Sequence, residues 1–241
     1  MSDYLIHTDM LDFQHTDLQT LIDQRGWRQL DGYAAIGAVY DFVRDEILFG
    51  YNAHDELKAS QVLADGYGQC NTKGTLLMAL LRALGIPCRL HGFTIFNRLQ
   101  QGAIPTWLMP FVPERIVHSW VEVLYQQRWI NLEGYIIDQR YLNQIQHRFA
   151  KQGGGEGENC TAFSGYGIAT TCLAEPNINW QGEDTYIQRQ GIADDYGIFA
   201  HPDDFYRQHR NLTGVKRWFY CYALRHVLNR NVRRIRDLGR F

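Results

Sequence analysis

The chain has 241 residues, 45% of them hydrophobic and 13% aromatic, enough for one sizeable core or at most two small ones. Its apolar runs fall far short of the ~20 residues needed to span a bilayer, which excludes a membrane-spanning helix. Net charge is −2, but residues 1–209 carry 15 Lys/Arg against 25 Asp/Glu, whereas residues 210–241 carry nine against Asp237 alone. Such a basic tail binds an anionic partner, nucleic acid or lipid, or docks on the acidic body of its own chain. The interleaved Trp218, Phe219, Tyr222, Leu224, Val227 and Leu228 favour a docked amphipathic helix.

The N-terminal stretch MSDYLIHTDMLDFQHTD is acidic and has neither a basic n-region nor an apolar h-region, so the expected compartment is the cytoplasm. Five cysteines, Cys70, Cys88, Cys160, Cys172 and Cys221, form no CxxC pair. An odd number in a reducing compartment argues against a disulfide framework or a structural zinc, and each is by default a small buried hydrophobe.

In chain order, residues 16–49 read as helices broken around 25–32, with Tyr33, Ile36, Val39, Tyr40, Val43 and Ile47 on one face. Next comes GYGQCNTKGTLLMALLRALGIP, apolar almost all round from 75 to 81, as suits a helix buried mid-domain. Gly66 and Gly68 supply the tight loop before it, and Gly85 with Pro87 stops it. Three runs rich in Val, Ile, Trp, Tyr and Phe then predict strands at 88–96, 118–125 and 128–137. The proline-punctuated connection 98–117 carries Trp107, Leu108, Met109 and Phe111, a set suited to a groove, a lid or simple packing. Residues 146–202 read as an irregular, Gly-rich accessory segment. Helix returns from Asp203 to 238, broken near Gly214. The fold class is α+β, and the expected organisation is one domain over 1–241 with its core at 30–145.

Cys70 is the one cysteine placed where a glycine loop meets a helix, and a helix N-terminus stabilises a thiolate through its unpaired N–H groups and partial positive charge. His118 opens the second strand. A two-residue loop at Gln126–Gln127 pairs Tyr125 with Arg128 and sets His118 opposite Tyr135. Glu133 is then a same-face diagonal neighbour. Strand geometry can therefore hand an imidazole to a carboxylate, the contact that fixes a catalytic tautomer. Glu122 shares the face but stands too far along for a direct bond, and Trp120 and Trp129 read as core. Glu156, Glu158 and Asn159 lie in the Gly-rich stretch without EF-hand spacing, so no metal is expected.

The run SQVLADGYGQCNTKGTLLMALLRALGIPCRLHGF at 60–93 resembles the core of the transglutaminase-like superfamily, with its G-x-C at a helix start. HSWVEV (118–123) is similar to that family's H-x-W-x-E-V strand, WINLE (129–133) to its W-x-x-L-D element, and VRDEI (43–47) to the preceding helix. The resemblance implies a papain-like fold, a nucleophile helix packed on an antiparallel sheet, with Cys70 as nucleophile, His118 as general base and acid, and Glu133 as third member. The family's usual acid is Asp; Glu is one methylene longer, and Asp138 is the reserve candidate. The implied chemistry is attack on an amide carbonyl of a protein or peptide substrate, with a thioester on Cys70 and no cofactor. The Cys70 N–H is the first oxyanion donor, with Gln61 and Gln69 as nearby candidates for the second. Water as acceptor makes a hydrolase or a glutamine deamidase, and an amine makes a transferase that cross-links glutamine. A catalytically silent interaction domain is the alternative from another class.

Overall fold

Helix α1 (Thr16–Gln24) ends at Arg25, and Gly26 turns the chain with φ of 65°, a left-handed conformation that glycine adopts without a Cβ clash. One turn of 3-10 helix (Trp27–Gln29) leads to Asp31, whose carboxylate accepts the Ala34 N–H at 2.8 Å and caps α2 (Gly32–Asp45). Thus two caps make the break expected at 25–32. Ile36, Val39, Tyr40 and Val43 form the buried stripe of α2, while Tyr33 stays exposed. The computed structural model describes residues 2–100, 104–151, 178–187, 192–209 and 214–238.

A short helix that the sequence pattern did not mark, α3 (Ala59–Asp65), follows; at seven residues it is too brief for a periodic signal. It ends at Gly66, again left-handed. The two-residue strands β1 (Leu48–Phe49) and β2 (Tyr67–Gly68) pair in parallel and fix the loop before α4 (Cys70–Ala83). Every residue of α4 from Asn71 to Arg82 is buried. It packs against β4 (Arg115–Tyr125) and, less extensively, β3 (Cys88–Phe96). With β5 (Arg128–Leu132) and β6 (Ile192–Phe199), these strands form an antiparallel sheet ordered β5-β4-β3-β6. The α+β, papain-like fold class is therefore present.

The β4–β5 hairpin has the expected register, Tyr125 with Arg128 through Val121 with Leu132. Its turn places Gln126 and Gln127 at φ of 47° and 63°, as a tight hairpin of the right twist requires. The third strand, however, stops at Leu132 rather than 137, and residues Gly134–Ile136 coil into a 3-10 turn. The cause is distant in sequence. Thr185 bridges Leu132, and its carbonyl and hydroxyl both accept the Glu133 N–H at 3.1 Å, drawing the chain off β4. On the β5 side His118 therefore lies beyond the last pair, Val121 with Leu132, and is not paired with Tyr135; on the other side it pairs with Phe93 of β3.

Two elements lie where irregular chain was expected. Helix α5 (Gln139–Lys151) overlaps its start, and β6 pairs with the edge of β3 near its end. As an edge strand β6 shows no inside–outside alternation, so it left no pattern to read. The C-terminal stretch is helical as expected: α6 (Pro202–Gln208), α7 (Gly214–Phe219), a π-helical turn (Tyr220–Leu224) and α8 (Arg225–Leu238). Helix α8 lies on α5 with Leu228, Val232 and Ile235 buried, but of the residues that favoured docking Trp218, Phe219, Tyr222 and Val227 are exposed, so the tail docks through α8 rather than through those aromatic rings. Cys160, Cys172, Glu156, Glu158 and Asn159 lie outside the described residues. No helix among the described residues is long and apolar enough to cross a membrane.

Candidate active site

Cys70 is the first residue of α4, and the loop ahead of it is held by a buried polar network. Gln69, in extended conformation at the cap, donates its N–H to Thr72 Oγ1 at 3.1 Å, and its side-chain oxygen accepts the Asn52 N–H at 2.8 Å. Asn52 Oδ1 in turn accepts the Thr72 hydroxyl at 2.6 Å. These bonds tie the loop to the first turn of the helix, so the half-buried Cys70 side chain is presented at a fixed N-terminus. Deeper in the helix, Gly74 permits a close approach: a Cβ there would lie 2.7 Å from the Tyr135 hydroxyl, which donates to the Cys70 carbonyl at 3.3 Å.

His118 is 2% exposed, and its Nε2 lies 3.4 Å from Glu133 Oε1. That separation is long for an optimal bond. Glu133 is 1% exposed, and its other carboxylate oxygen accepts the Ile187 N–H at 3.2 Å. The acid thus meets the imidazole from a turn just past the end of β5, not from the strand diagonal. The segment 178–187 holds it there. That segment is anchored in turn to α2, where the Tyr40 hydroxyl donates to the Ile178 carbonyl at 2.7 Å and Arg44 donates to it at 2.8 Å.

Burial, the largest influence on His118, opposes its protonation. The charge and hydrogen bonding of Cys70, with those of Glu133, outweigh it and raise the imidazole to about 10. The ring's other nitrogen, Nδ1, is buried with no well-aligned hydrogen bond, although Cys70 is near enough to interact. One nitrogen is thus held by the carboxylate, and the other remains for the sulfur. Cys88 is a contrast: burial pushes its thiol up to about 11, beyond the partial relief that Arg82 gives.

Asn71 anchors the next layer. Its amide N–H donates to Asp55 at 3.0 Å and to the Val117 carbonyl at 3.3 Å, while its oxygen accepts from Ser119 at 3.0 Å. Ser119 also bonds the Tyr206 hydroxyl at 2.9 Å. None of Asp55, Asn71, Ser119 or Tyr206 was marked in the sequence, and only Asn71 and Ser119, beside Cys70 and His118, offered a signal of position.

The remaining sequence candidates fall elsewhere. Asp138, the reserve acid, makes a buried ion pair with Arg236 at 2.8 Å and accepts the Phe49 and Tyr141 N–H groups, so it joins α5, α8 and β1 rather than His118. Gln69 borders the cavity at Cys70, with its amide N–H engaged by Asp55 at 2.9 Å, while Gln61 caps α3 by accepting the Lys58 N–H at 3.1 Å. Glu122 pairs with Arg89 at 2.6 Å and His91 at 3.1 Å across β3, a structural contact. Trp129 packs under the Arg89 guanidinium at 4.0 Å. Trp107 is 66% exposed.

Cys70 and His118 open on a cavity of about 190 Å³. Its wall combines α4 and β4 with the connection before β4 and the C-terminal helices. Among the described residues, no cluster of His, Cys, Asp and Glu could hold a metal ion.

Residues 19–134 match the model of the Transglutaminase-like superfamily, a span that includes Cys70, His118 and Glu133. A crystal structure named as that of a putative cysteine protease from Cytophaga hutchinsonii aligns with 53% of this chain at 19% identity and a TM-score of 0.41. This chain covers 39% of that structure's length. No curated protein matches the chain.

Proposed function

Because residues 19–134 belong to the transglutaminase-like superfamily, we propose that the chain is a thiol enzyme forming a thioester on Cys70 from an amide substrate. The observation that carries this reading is a cavity wall that presents Cys70 and His118, with Glu133 buried behind the imidazole. A cysteine begins a buried helix, an imidazole senses that cysteine, and an anchored carboxylate lies 3.4 Å behind the imidazole.

In this reading the Cys70 sulfur attacks the amide carbonyl as an anion, balanced by the His118 imidazolium. The backbone N–H of Cys70, at the helix N-terminus, stabilises the oxyanion. Collapse of the tetrahedral intermediate breaks the C–N bond, and His118 gives its proton to the leaving amine. Glu133 keeps the ring oriented and balances its charge. The acceptor then attacks the thioester while His118 takes its proton, and the sulfur leaves as thiolate.

Transfer to an amine gains support from one feature, the largely apolar lining of the cavity beside the thiol. A site of this kind disfavours water relative to an amine acceptor delivered by its own binding contacts.

The test is mass spectrometry of a peptide library incubated with the protein, with and without an added alkylamine. Cleaved or deamidated peptides, or amine-coupled peptides, that vanish with Cys70→Ala support a thiol enzyme and identify its acceptor. Absence of every product and of any adduct on Cys70 favours a silent interaction domain.

A further inference from the structure

The polar groups nearest Cys70 are bonded to one another. Asp55 receives both the Gln69 and the Asn71 amide N–H groups, and the Asn71 oxygen is occupied by the Ser119 hydroxyl. A polar side chain entering next to Cys70 therefore meets groups already engaged with one another. The depth of the cavity is different. Phe49, Ile104, Ile136, Ile137 and Leu228 are buried hydrophobic residues, and Leu224 beside them is partly buried. The ionisable lining groups His54, Glu56, His209 and Arg217 are all more exposed than these buried apolar residues.

We propose that the cavity takes an apolar acyl group, seated beyond Cys70 against Leu224 and Leu228, and that the C-terminal helical segment sets how long that group can be. The proposal rests on the thiol-enzyme reading and narrows its substrate class. An acyl chain removed from water against these walls gains roughly fourfold in acylation for each methylene buried, up to the length the cavity holds. A glutamine-like or carboxylate-ended acyl group gains no such factor, because its polar end would be desolvated without a partner.

The experiment uses the full-length protein with p-nitrophenyl acetate, butyrate, hexanoate and octanoate, and the mono-ester of glutarate. In each, the Cys70 sulfur forms a bond to the acyl carbon, the C–O bond breaks, and p-nitrophenolate leaves and is read by absorbance. Intact-mass spectrometry locates the acyl adduct. The proposal predicts second-order acylation that climbs roughly fourfold per methylene and then falls, with glutarate slowest. Leu224→Trp should move the optimum to a shorter chain, and Leu224→Ala to a longer one. The wild-type profile tests the idea even if a variant misfolds. Acylation of Cys70 that is flat with chain length, or best with glutarate, overturns the apolar-acyl proposal while leaving the thiol enzyme standing. No adduct on Cys70 from any ester overturns both.

Discussion

Glu133 spans two partners, His118 Nε2 at 3.4 Å through one carboxylate oxygen and the Ile187 N–H at 3.2 Å through the other. This fixes both the angle of the carboxylate and the face it offers the ring. It also accommodates the longer side chain: the turn that follows Leu132 supplies the displacement that glutamate needs.

Glu133→Gln keeps the shape and removes the charge. In the proposed mechanism it lowers kcat about 10⁴-fold, the size of loss found when a triad carboxylate is neutralised. The imidazole also moves down in pH, since Glu133 is one of the groups raising it. A His raised to about 10 contributes stability in full below its unfolded value, ~6.5, and loses it as pH rises through about 10. The variant therefore loses stability relative to wild type at neutral pH, and the gap narrows toward pH 10. NMR titration of His118 and thermal unfolding against pH check both parts.

Asp138 and Arg236 are a structural pair joining the start of α5 to the end of α8, with side chains 1% and 6% exposed. Removing either partner leaves the other buried and unpaired, which costs about 3–5 kcal/mol. Burial opposes the Asp138 charge, but hydrogen bonds and charge from Arg236 prevail and hold the carboxyl below its ordinary value. Its contribution is therefore present above the unfolded value, ~3.9, and lost as pH falls through the lower folded one. Denaturant unfolding of Asp138→Ala should show this loss at neutral pH, and the gap from wild type should shrink in acid.

Lys73 is fully buried in α4, with its ammonium donating to the Arg44 and Ile136 carbonyls at 3.1 and 3.0 Å. Burial lowers it to about 7, despite the attraction of Asp138 and Asp45. The sign is opposite to that of His118. Below pH 7 both states are charged and the folded one carries the burial cost; as pH rises toward the unfolded value of ~10.4, that cost is relieved. The stability of wild type relative to Lys73→Met should therefore rise between pH 7 and 9, read as the difference between the two melting temperatures. A difference independent of pH would contradict a Lys73 that titrates in this range.

Much of this arrangement was legible because it is local. The cap and glycine signals around Cys70, the apolar run of α4 and the β4–β5 hairpin each lie within a few residues of the feature they specify. The His118–Glu133 contact was read correctly as a pairing but by the wrong geometry, because the strand expected to reach 137 stops at Leu132. What stops it is Thr185, 52 residues from Glu133 in sequence, and no local pattern marks such a bond. The same holds for β6, an edge strand without alternation, and for Leu224 and Leu228. Those two read only as one face of an amphipathic helix, and their place in the cavity wall depends on where that helix docks.

The central claim of the proposal is a Cys70 sulfur activated by His118, and it is tested most directly by the alkylation of Cys70. The protein is treated with iodoacetamide from mildly acidic to alkaline pH, and labelling at each cysteine is followed by peptide mass spectrometry in wild type and His118→Ala. The account predicts selective labelling of Cys70 in wild type and loss of most of that labelling in the variant. Cys88, buried and raised to about 11, should remain unlabelled in the native protein. Labelling of Cys70 that is the same in wild type and variant would contradict it.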